Sequence, residues 1–73
     1  MIGKMPPKKA KQLRALALAM FRGEKLTPLI ALQRYGVMAL SQRMGELARV
    51  YGWGIKSKMV KTDSGKHVSE YWL

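Results

Sequence analysis

Residues 26–51, LTPLIALQRYGVMALSQRMGELARVY, contain the clearest structural pattern in this 73-residue chain. Thr27 can cap a helix with its hydroxyl group, and Pro28 then occupies the first helical position, where its missing N–H costs nothing. Gly36 can adopt the left-handed conformation that ends a helix. The stretch therefore predicts two helices, with a tight turn that begins after Tyr35.

The spacing of the apolar residues predicts which side of each helix is buried. In the first helix the predicted buried face consists of Leu29, Leu32 and Tyr35, with Ala31 beside them. In the helix that follows the turn, residues 39–51, apolar residues recur at i, i+4, i+7 and i+11. These residues are Leu40, Met44, Leu47 and Tyr51. This periodicity leaves a polar outer face that consists of Ser41, Gln42, Gly45, Glu46 and Arg49.

The charge of the chain points to a polyanionic partner. Fourteen Lys and Arg residues stand against four Asp and Glu residues, which gives a formal net charge of +10 at pH 7. Self-repulsion of this size is a liability unless a partner neutralises it. Nucleic acid is the first candidate and an anionic membrane surface the second, and a merely solvated basic surface is the alternative to both.

Several classes of protein do not fit the composition. The chain has no cysteine, so it has neither disulfides nor a thiolate metal site, and a reducing cytoplasmic compartment is expected. The longest apolar run, residues 15–21, is far too short to span a membrane, and no signal peptide is recognisable. The single histidine, His67, lies in the predicted hairpin, and the four acidic residues fall in separate elements without a catalytic pair. The sequence also contains no phosphate-binding glycine loop and no metal-ligand cluster. We therefore expect a protein that is not an enzyme and has no metal, cofactor or small-molecule ligand.

The segments before residue 26 extend the helical part. Residues 1–7 contain two prolines and no periodic pattern, and we predict a disordered basic tail there, followed by one domain over residues 8–73. Residues 8–22 predict a helix whose buried side is formed by Leu13, Leu16, Ala17, Met20 and Phe21. Leu18 lies off that stripe, either as a homodimer contact or as an ordinary exposed leucine. Residues 24–26 predict a connector that can pair as a single β-bridge.

Residues 55–73 predict a β-hairpin with its turn at residues 62–66, TDSGK. Pairing Lys61 with His67 sets a register that runs outward to Lys56 with Trp72 and Ile55 with Leu73. Because side chains alternate between the two faces of a hairpin, we predict that one face packs against the core. The residues of this face are Ile55, Ser57, Met59, Ser69, Tyr71 and Leu73. The other face then carries Lys56, Lys58, Val60, Val68, Glu70 and Trp72, with a lysine over the indole. A core role for Trp53 and a packing role for Trp72 are favoured over base stacking by either.

Three helices followed by a hairpin, in the order αααββ, form the winged helix-turn-helix topology. Residues 26–73 resemble the small winged helix-turn-helix DNA-binding domains common in phage and prophage genomes. The resemblance is carried by LTP at 26–28, YGV at 35–37, LSQRM at 40–44 with Glu46 and Leu47, YGWGI at 51–55, GK at 65–66 and YWL at 71–73. The turn between the second and third helices is about two residues longer than in repressor-type helix-turn-helix proteins, so the contact positions of that group are not transferred here.

Direct readout of DNA requires hydrogen-bonding side chains near the start of the helix that enters the major groove. The predicted base-reading residues are Ser41, Gln42, Arg43 and Glu46. Gln42 suits adenine and Arg43 suits guanine or a phosphate, whereas Glu46 suits cytosine or an internal ion pair with Arg43, Arg49 or another neighbouring cation. The predicted backbone contacts are Arg49, Lys56, Lys58, Lys61, Lys66, Lys8, Lys9 and Lys11. For the hairpin lysines the alternative is protection of an exposed strand edge.

Together these patterns predict a sequence-specific double-stranded DNA-binding protein. The third helix, residues 39–51, would occupy the major groove, and the lysine-rich wing, residues 55–73, would lie on the backbone or in the minor groove. The resemblance implies a phage or prophage transcriptional regulator in the cytoplasm of a bacterial host. Three alternatives stay open: an excisionase-like factor that bends DNA, an RNA-binding protein, and a protein-interaction module anchored by Leu18 and Val60.

Overall fold

The computed structural model describes residues 3–73 and consists of three helices followed by a two-stranded antiparallel hairpin. The helices are α1 (Lys11–Phe21), α2 (Pro28–Tyr35) and α3 (Leu40–Tyr51), and the strands are β1 (Lys56–Lys61) and β2 (His67–Trp72). The predicted order of elements and the mainly α composition are therefore confirmed. No helix in the described part of the chain is long and apolar enough to cross a membrane.

The hydrophobic core lies where the three helices and the base of the hairpin meet. Leu16 of α1, Ala31 of α2 and Leu47 of α3 are completely shielded from solvent. The buried apolar residues are Leu13, Leu16, Ala17, Ala19, Met20, Leu26, Ala31, Val37, Leu40, Met44, Leu47 and Trp53. The predicted buried face of α3 is confirmed, since three of its four residues are in this set and Tyr51 packs against it.

The ends of α2 are formed as the sequence predicts. The Thr27 hydroxyl accepts a hydrogen bond from the Ile30 N–H at 3.3 Å, and Pro28 is the first helical residue. Gly36 has a φ of 68°, in the left-handed region that glycine adopts without strain. The N–H groups of Gly36 and Val37 then bond to carbonyls of the last helical turn, which completes the C-terminal cap.

Two details of the helices differ from the prediction. Helix α1 starts at Lys11 rather than at Lys8, because the preceding residues form a turn in which the Ala10 N–H bonds to the Pro7 carbonyl at 3.0 Å. Phe21 was predicted to be buried but is 60% exposed, whereas Ala19 is buried. Phe21 is the last residue of α1 and lies at the edge of the buried stripe, so its large ring extends into solvent. The small Ala19 side chain fits against its neighbours.

The predicted buried face of α2 was wrong for both leucines. Leu29 is 61% and Leu32 47% exposed, whereas Ala31 is buried and Ile30 and Tyr35 are partly buried against the core. Four consecutive apolar residues, LIAL at 29–32, fit more than one helical stripe, so periodicity alone could not select the face. The face with the smallest side chain, Ala31, is the one that packs inward.

The hairpin has the predicted register in all six pairs from Lys56–Trp72 to Lys61–His67. The predicted β-bridge is also present, because the N–H groups of Leu26 and Tyr71 bond to each other's carbonyls at 2.8 and 2.7 Å. Ile55, Tyr71 and Leu73 pack against the core as predicted, but Met59 is 61% exposed because only the base of the hairpin reaches the core.

The first described residues lie against the body of the protein, in contrast to the predicted disordered tail. The Lys4 N–H bonds to the Tyr51 carbonyl at 2.8 Å, and the Trp53 indole N–H donates to the Lys4 carbonyl at 2.7 Å. Pro6 is fully buried, and its carbonyl accepts a bond from Arg14 at 2.9 Å. A buried indole N–H needs an acceptor, and the tail provides it. Residues 1 and 2 of the predicted tail lie outside the described residues.

A polar cluster joins the end of α1 to the end of α2. The Glu24 carboxylate accepts hydrogen bonds from Arg22 at 3.0 Å, from the Tyr35 hydroxyl at 2.9 Å and from Arg34 at 3.4 Å. The hydrogen bond from Arg22, followed by the one from Tyr35, lowers the pKa of Glu24. Burial, followed by the bond to Glu24, raises the pKa of Tyr35. Sequence periodicity had no signal for this cluster, because it joins separate elements.

We predict that Leu47→Ala lowers the free energy of unfolding by ~2–5 kcal/mol, because it leaves a cavity in the core. Leu29→Ala is the matched control, since Leu29 is 61% exposed, and it should change the free energy by only about 0.5 kcal/mol. Urea unfolding followed by circular dichroism measures both. Equal effects of the two substitutions would contradict the assignment of the α2 face.

We also predict that the pKa of Glu24 lies below its ordinary value of 4.5. Because the folded-state pKa is the lower one, the cluster stabilises the fold above the unfolded-state pKa, and this contribution disappears as the pH falls through the folded-state pKa. Carboxyl-carbon NMR titration measures the value directly, and Arg22→Gln should raise it. A wild-type pKa at or above 4.5 would show that the cluster does not form in solution.

Candidate nucleic-acid interface

The outward side of α3 presents an open polar groove. Ser41, Gln42 and Arg49 are exposed, and Arg43 and Glu46 are half-buried beside them. These five residues, together with Val50, line one concavity, which we call the α3 groove. The structure therefore brings all four predicted base-reading residues and one predicted backbone-contacting residue onto a single surface.

Within the α3 groove, Arg43 and Glu46 form an ion pair. The Arg43 Nη1 atom lies 2.9 Å from Glu46 Oε1, and the two side chains are 41% and 37% exposed. Of the two interpretations left open for Glu46, the internal salt bridge is the one present in this structure. Exposed ion pairs of this kind contribute only about 0–1 kcal/mol to the free energy of folding, so either side chain can leave the pair and bind a ligand. Glu46 thus orients Arg43 and leaves its other guanidinium donors available.

Arg49 lies back across α3 above Gly45. A Cβ atom placed on Gly45 would lie only 2.9 Å from Arg49 Nη1, so the missing side chain leaves room for the guanidinium group. Glycine inside a helix costs roughly 0.5–1 kcal/mol relative to alanine. Gly45 was predicted to lie on the outer face without a role, and in the structure its lack of a side chain gives the Arg49 guanidinium group room against the helix.

The start of α1 adjoins the α3 groove. Lys9, Lys11 and Gln12 line a second concavity together with Ala10 and Leu13, and its remaining lining residues are Arg43 and Glu46. The Gln12 side-chain amide donates a hydrogen bond to the Gly36 carbonyl at 3.1 Å, which joins α1 to the turn before α3. Lys9 and Lys11, predicted as backbone contacts, are thus placed beside the predicted base-reading residues. Lys8 is exposed in the turn that precedes α1.

The hairpin lysines form a separate part of the predicted site. All four, Lys56, Lys58, Lys61 and Lys66, are exposed, and none of them lines either concavity described above. Trp53 is 2% exposed and bonded to Lys4, so it is a core residue and is not available for stacking on a base. Within residues 3–73, no group of three or more His, Asp or Glu side chains is placed to hold a metal ion.

No protein-family model matches the chain, and no curated protein and no solved structure is significantly similar to it. The charge, exposure and arrangement of the side chains described above are therefore the observations that bear on function.

We predict that Gly45→Ala stabilises the fold by about 0.5–1 kcal/mol, because alanine restricts the unfolded chain and the flexible Arg49 side chain can move aside. In an Arg49→Ala background the gain should be at least as large, since the guanidinium group is then absent. Thermal and urea unfolding of the four proteins in this cycle give the comparison. A loss of stability on Gly45→Ala in both backgrounds would show that backbone rather than Arg49 occupies the space.

Proposed function

We propose that this protein is a sequence-specific double-stranded DNA-binding protein of winged helix-turn-helix architecture. In this proposal α2, the turn after Gly36 and α3 form the helix-turn-helix, and the β1–β2 hairpin is the wing. The observation that supports it most is the α3 groove. An exposed helix face with Gln42 and Arg43 in its first turn lies beside Lys9 and Lys11, in a chain of net charge +10.

The dimensions of α3 fit the major groove. Its twelve residues give a length of about 18 Å, and the groove of B-DNA, about 12 Å wide, accepts one helix. In the proposed complex Gln42 reads adenine through its amide, and Arg43 reads guanine through the donors that Glu46 does not use. Ser41 is close enough to the start of the helix to bond a base or a phosphate. Each good bidentate contact contributes ~1–3 kcal/mol of discrimination.

The basic residues around the groove would hold the protein on the DNA backbone. Arg49 lies one turn beyond Glu46, and Lys9 and Lys11 lie on the α1 side of the same surface. Backbone contacts of this kind set position and affinity, and base contacts set specificity. The wing lysines would add contacts along the backbone or the minor groove.

The proposed biological role is transcriptional regulation in a phage or prophage, without enzymatic activity, in the cytoplasm of a bacterial host. The support for this part is the sequence resemblance of residues 26–73. An excisionase-like role shares the same interface and differs in how strongly the DNA bends. Electrophoretic mobility of fragments with the site at permuted positions separates the two, because a strong bend slows the fragments with a central site.

We predict that Gln42→Ala and Lys11→Ala have different effects on DNA binding. Gln42→Ala should relax the preference at one base pair and leave the salt dependence nearly unchanged, because it removes a base contact. Lys11→Ala should weaken binding to every sequence alike and lower the slope of log K against log salt by about one. Selection from a random duplex library, followed by anisotropy titrations at several salt concentrations, measures both.

Two outcomes would contradict the proposed function. If structured RNA displaces duplex DNA at equal salt, the protein is an RNA-binding protein. If Gln42→Ala and Arg43→Ala leave the binding of the natural partner unchanged, the α3 groove is not the recognition surface, and a protein-interaction module is the better assignment.

A further inference from the structure

Two lysines from different segments converge on the indole ring of Trp72. The Lys25 Nζ atom lies 5.6 Å from the ring centroid, and the Lys58 Nζ atom lies 5.8 Å from it. Both distances are within the range of a cation–π interaction. The predicted register places Lys56 directly opposite Trp72, but the diagonal neighbour Lys58 and the connector residue Lys25 are the lysines that lie over the ring.

The fold brings Lys25 to this place through the β-bridge. Leu26 pairs with Tyr71, so the residue before Leu26 lies opposite the residue after Tyr71, which is Trp72. On the other edge of β2, Trp72 pairs with Lys56, and Lys58 is two residues further along β1. Because side chains alternate along paired strands, Lys25, Lys58 and Trp72 share one face of the hairpin and the bridge beside it.

Within residues 3–73, neither Lys25 nor Lys58 forms an ion pair with a neighbouring carboxylate. Glu24, adjacent to Lys25, is already engaged by Arg22, Arg34 and Tyr35. Glu70 is the cross-strand partner of Lys58, but the ion pairs found within residues 3–73 involve only Glu24 and Glu46. An aromatic ring orders an ammonium group without cancelling its charge. The result is a pair of positioned cations that are both exposed to solvent.

We propose that Lys25, Trp72 and Lys58 form a phosphate-binding site, here called the indole clamp. Each ammonium group contacts the ring with part of its surface and donates its outward N–H groups to phosphate oxygens. For its natural ligand, the backbone of duplex DNA, the inference rests on the proposed function. It extends that function, because it adds Lys25 of the α1–α2 connector to a surface otherwise formed by the hairpin.

The indole clamp has two kinds of residue, and their removal has different consequences. Lys25→Ala and Lys58→Ala each remove a phosphate contact and should lower the slope of log K against log salt by about 0.9. Trp72→Leu keeps the net charge and removes only the positioning of the lysines. It should weaken binding by about 2- to 5-fold with a smaller change of slope, and Trp72→Tyr should restore the affinity. Glu70→Gln should tighten binding, because it removes a like charge beside the phosphate.

The experiment is a set of anisotropy titrations with two directly labelled ligands, a fluorescein-labelled duplex of arbitrary sequence and fluorescein-labelled inorganic polyphosphate, each over a range of salt concentrations. Lys4→Ala is the charge-matched control, since its side chain is exposed and belongs to none of the surfaces assigned above. Circular dichroism melts verify that each variant is folded. We expect Lys25→Ala to reduce the affinity for both ligands more than Lys4→Ala does.

The two ligands separate failure of the inference from failure of the proposed function. If the wild type binds the duplex but Lys25→Ala behaves like Lys4→Ala with both ligands, the indole clamp is wrong and the proposed function stands. If the wild type binds polyphosphate in a Lys25-dependent way but not the duplex, the proposed function fails and the clamp stands. If Trp72→Leu and Trp72→Tyr have the same affinity as the wild type, the indole does not position the lysines and the clamp is overturned.

Discussion

The pair of hydrogen bonds between Leu26 and Tyr71 connects the two halves of this structure. A two-stranded hairpin is at best marginally stable alone in water, and the β1–β2 hairpin gains its support from the helical body at its base. The two bonds, at 2.8 and 2.7 Å, join the connector after α1 to β2 next to the fully buried Leu26 side chain. The position of the hairpin therefore depends on this bridge together with the packing of Ile55, Tyr71 and Leu73 against the core.

The molecule has two basic surfaces of different character, and the bridge forms part of the second. The surface at α3 and the start of α1 is built on helices, so its side chains have fixed spacing along a groove. The surface at Trp72 is built across three short extended segments, where side chains from different parts of the chain meet on one face. Helical spacing suits recognition of base edges, whereas a row of cations across strands suits a repeating phosphate backbone. Together they match the two kinds of contact that the proposed function requires.

Local signals predicted most of the architecture. Thr27, Pro28 and Gly36 act within a few residues of themselves, so the ends of α2 could be inferred from sequence, and hairpin register followed from alternation of side chains. The buried face of α2 could not be inferred in this way. The four apolar residues LIAL at 29–32 are compatible with more than one buried helical face, and packing against the neighbouring helices selects one of them. Docking of the first described residues was also missed, because the need of the Trp53 N–H for an acceptor 49 positions away has no local signature.

The same distinction applies to the candidate site. The polar face of α3 follows from helical periodicity, so Ser41, Gln42, Arg43, Glu46 and Arg49 could be grouped in advance. Whether Glu46 was an independent contact or a partner of Arg43 required coordinates, because both arrangements have the same i, i+3 spacing. Lys25 was not predicted as a site residue. Its place beside Trp72 results from the bridge between Leu26 and Tyr71, which are far apart in the sequence. Local sequence patterns do not reveal which residues of separate elements lie together in the fold.

The docking of the N-terminal segment constrains how this protein can diverge. The backbone at Gly3 lies so close to the Tyr51 carbonyl that a Cβ atom has no room there, although the residue is not part of any helix or strand. Any larger residue at this position would therefore push the N-terminal segment away from the end of α3. Because Tyr51 is the last residue of α3, a substitution at Gly3 acts directly on the end of the helix that carries the polar groove.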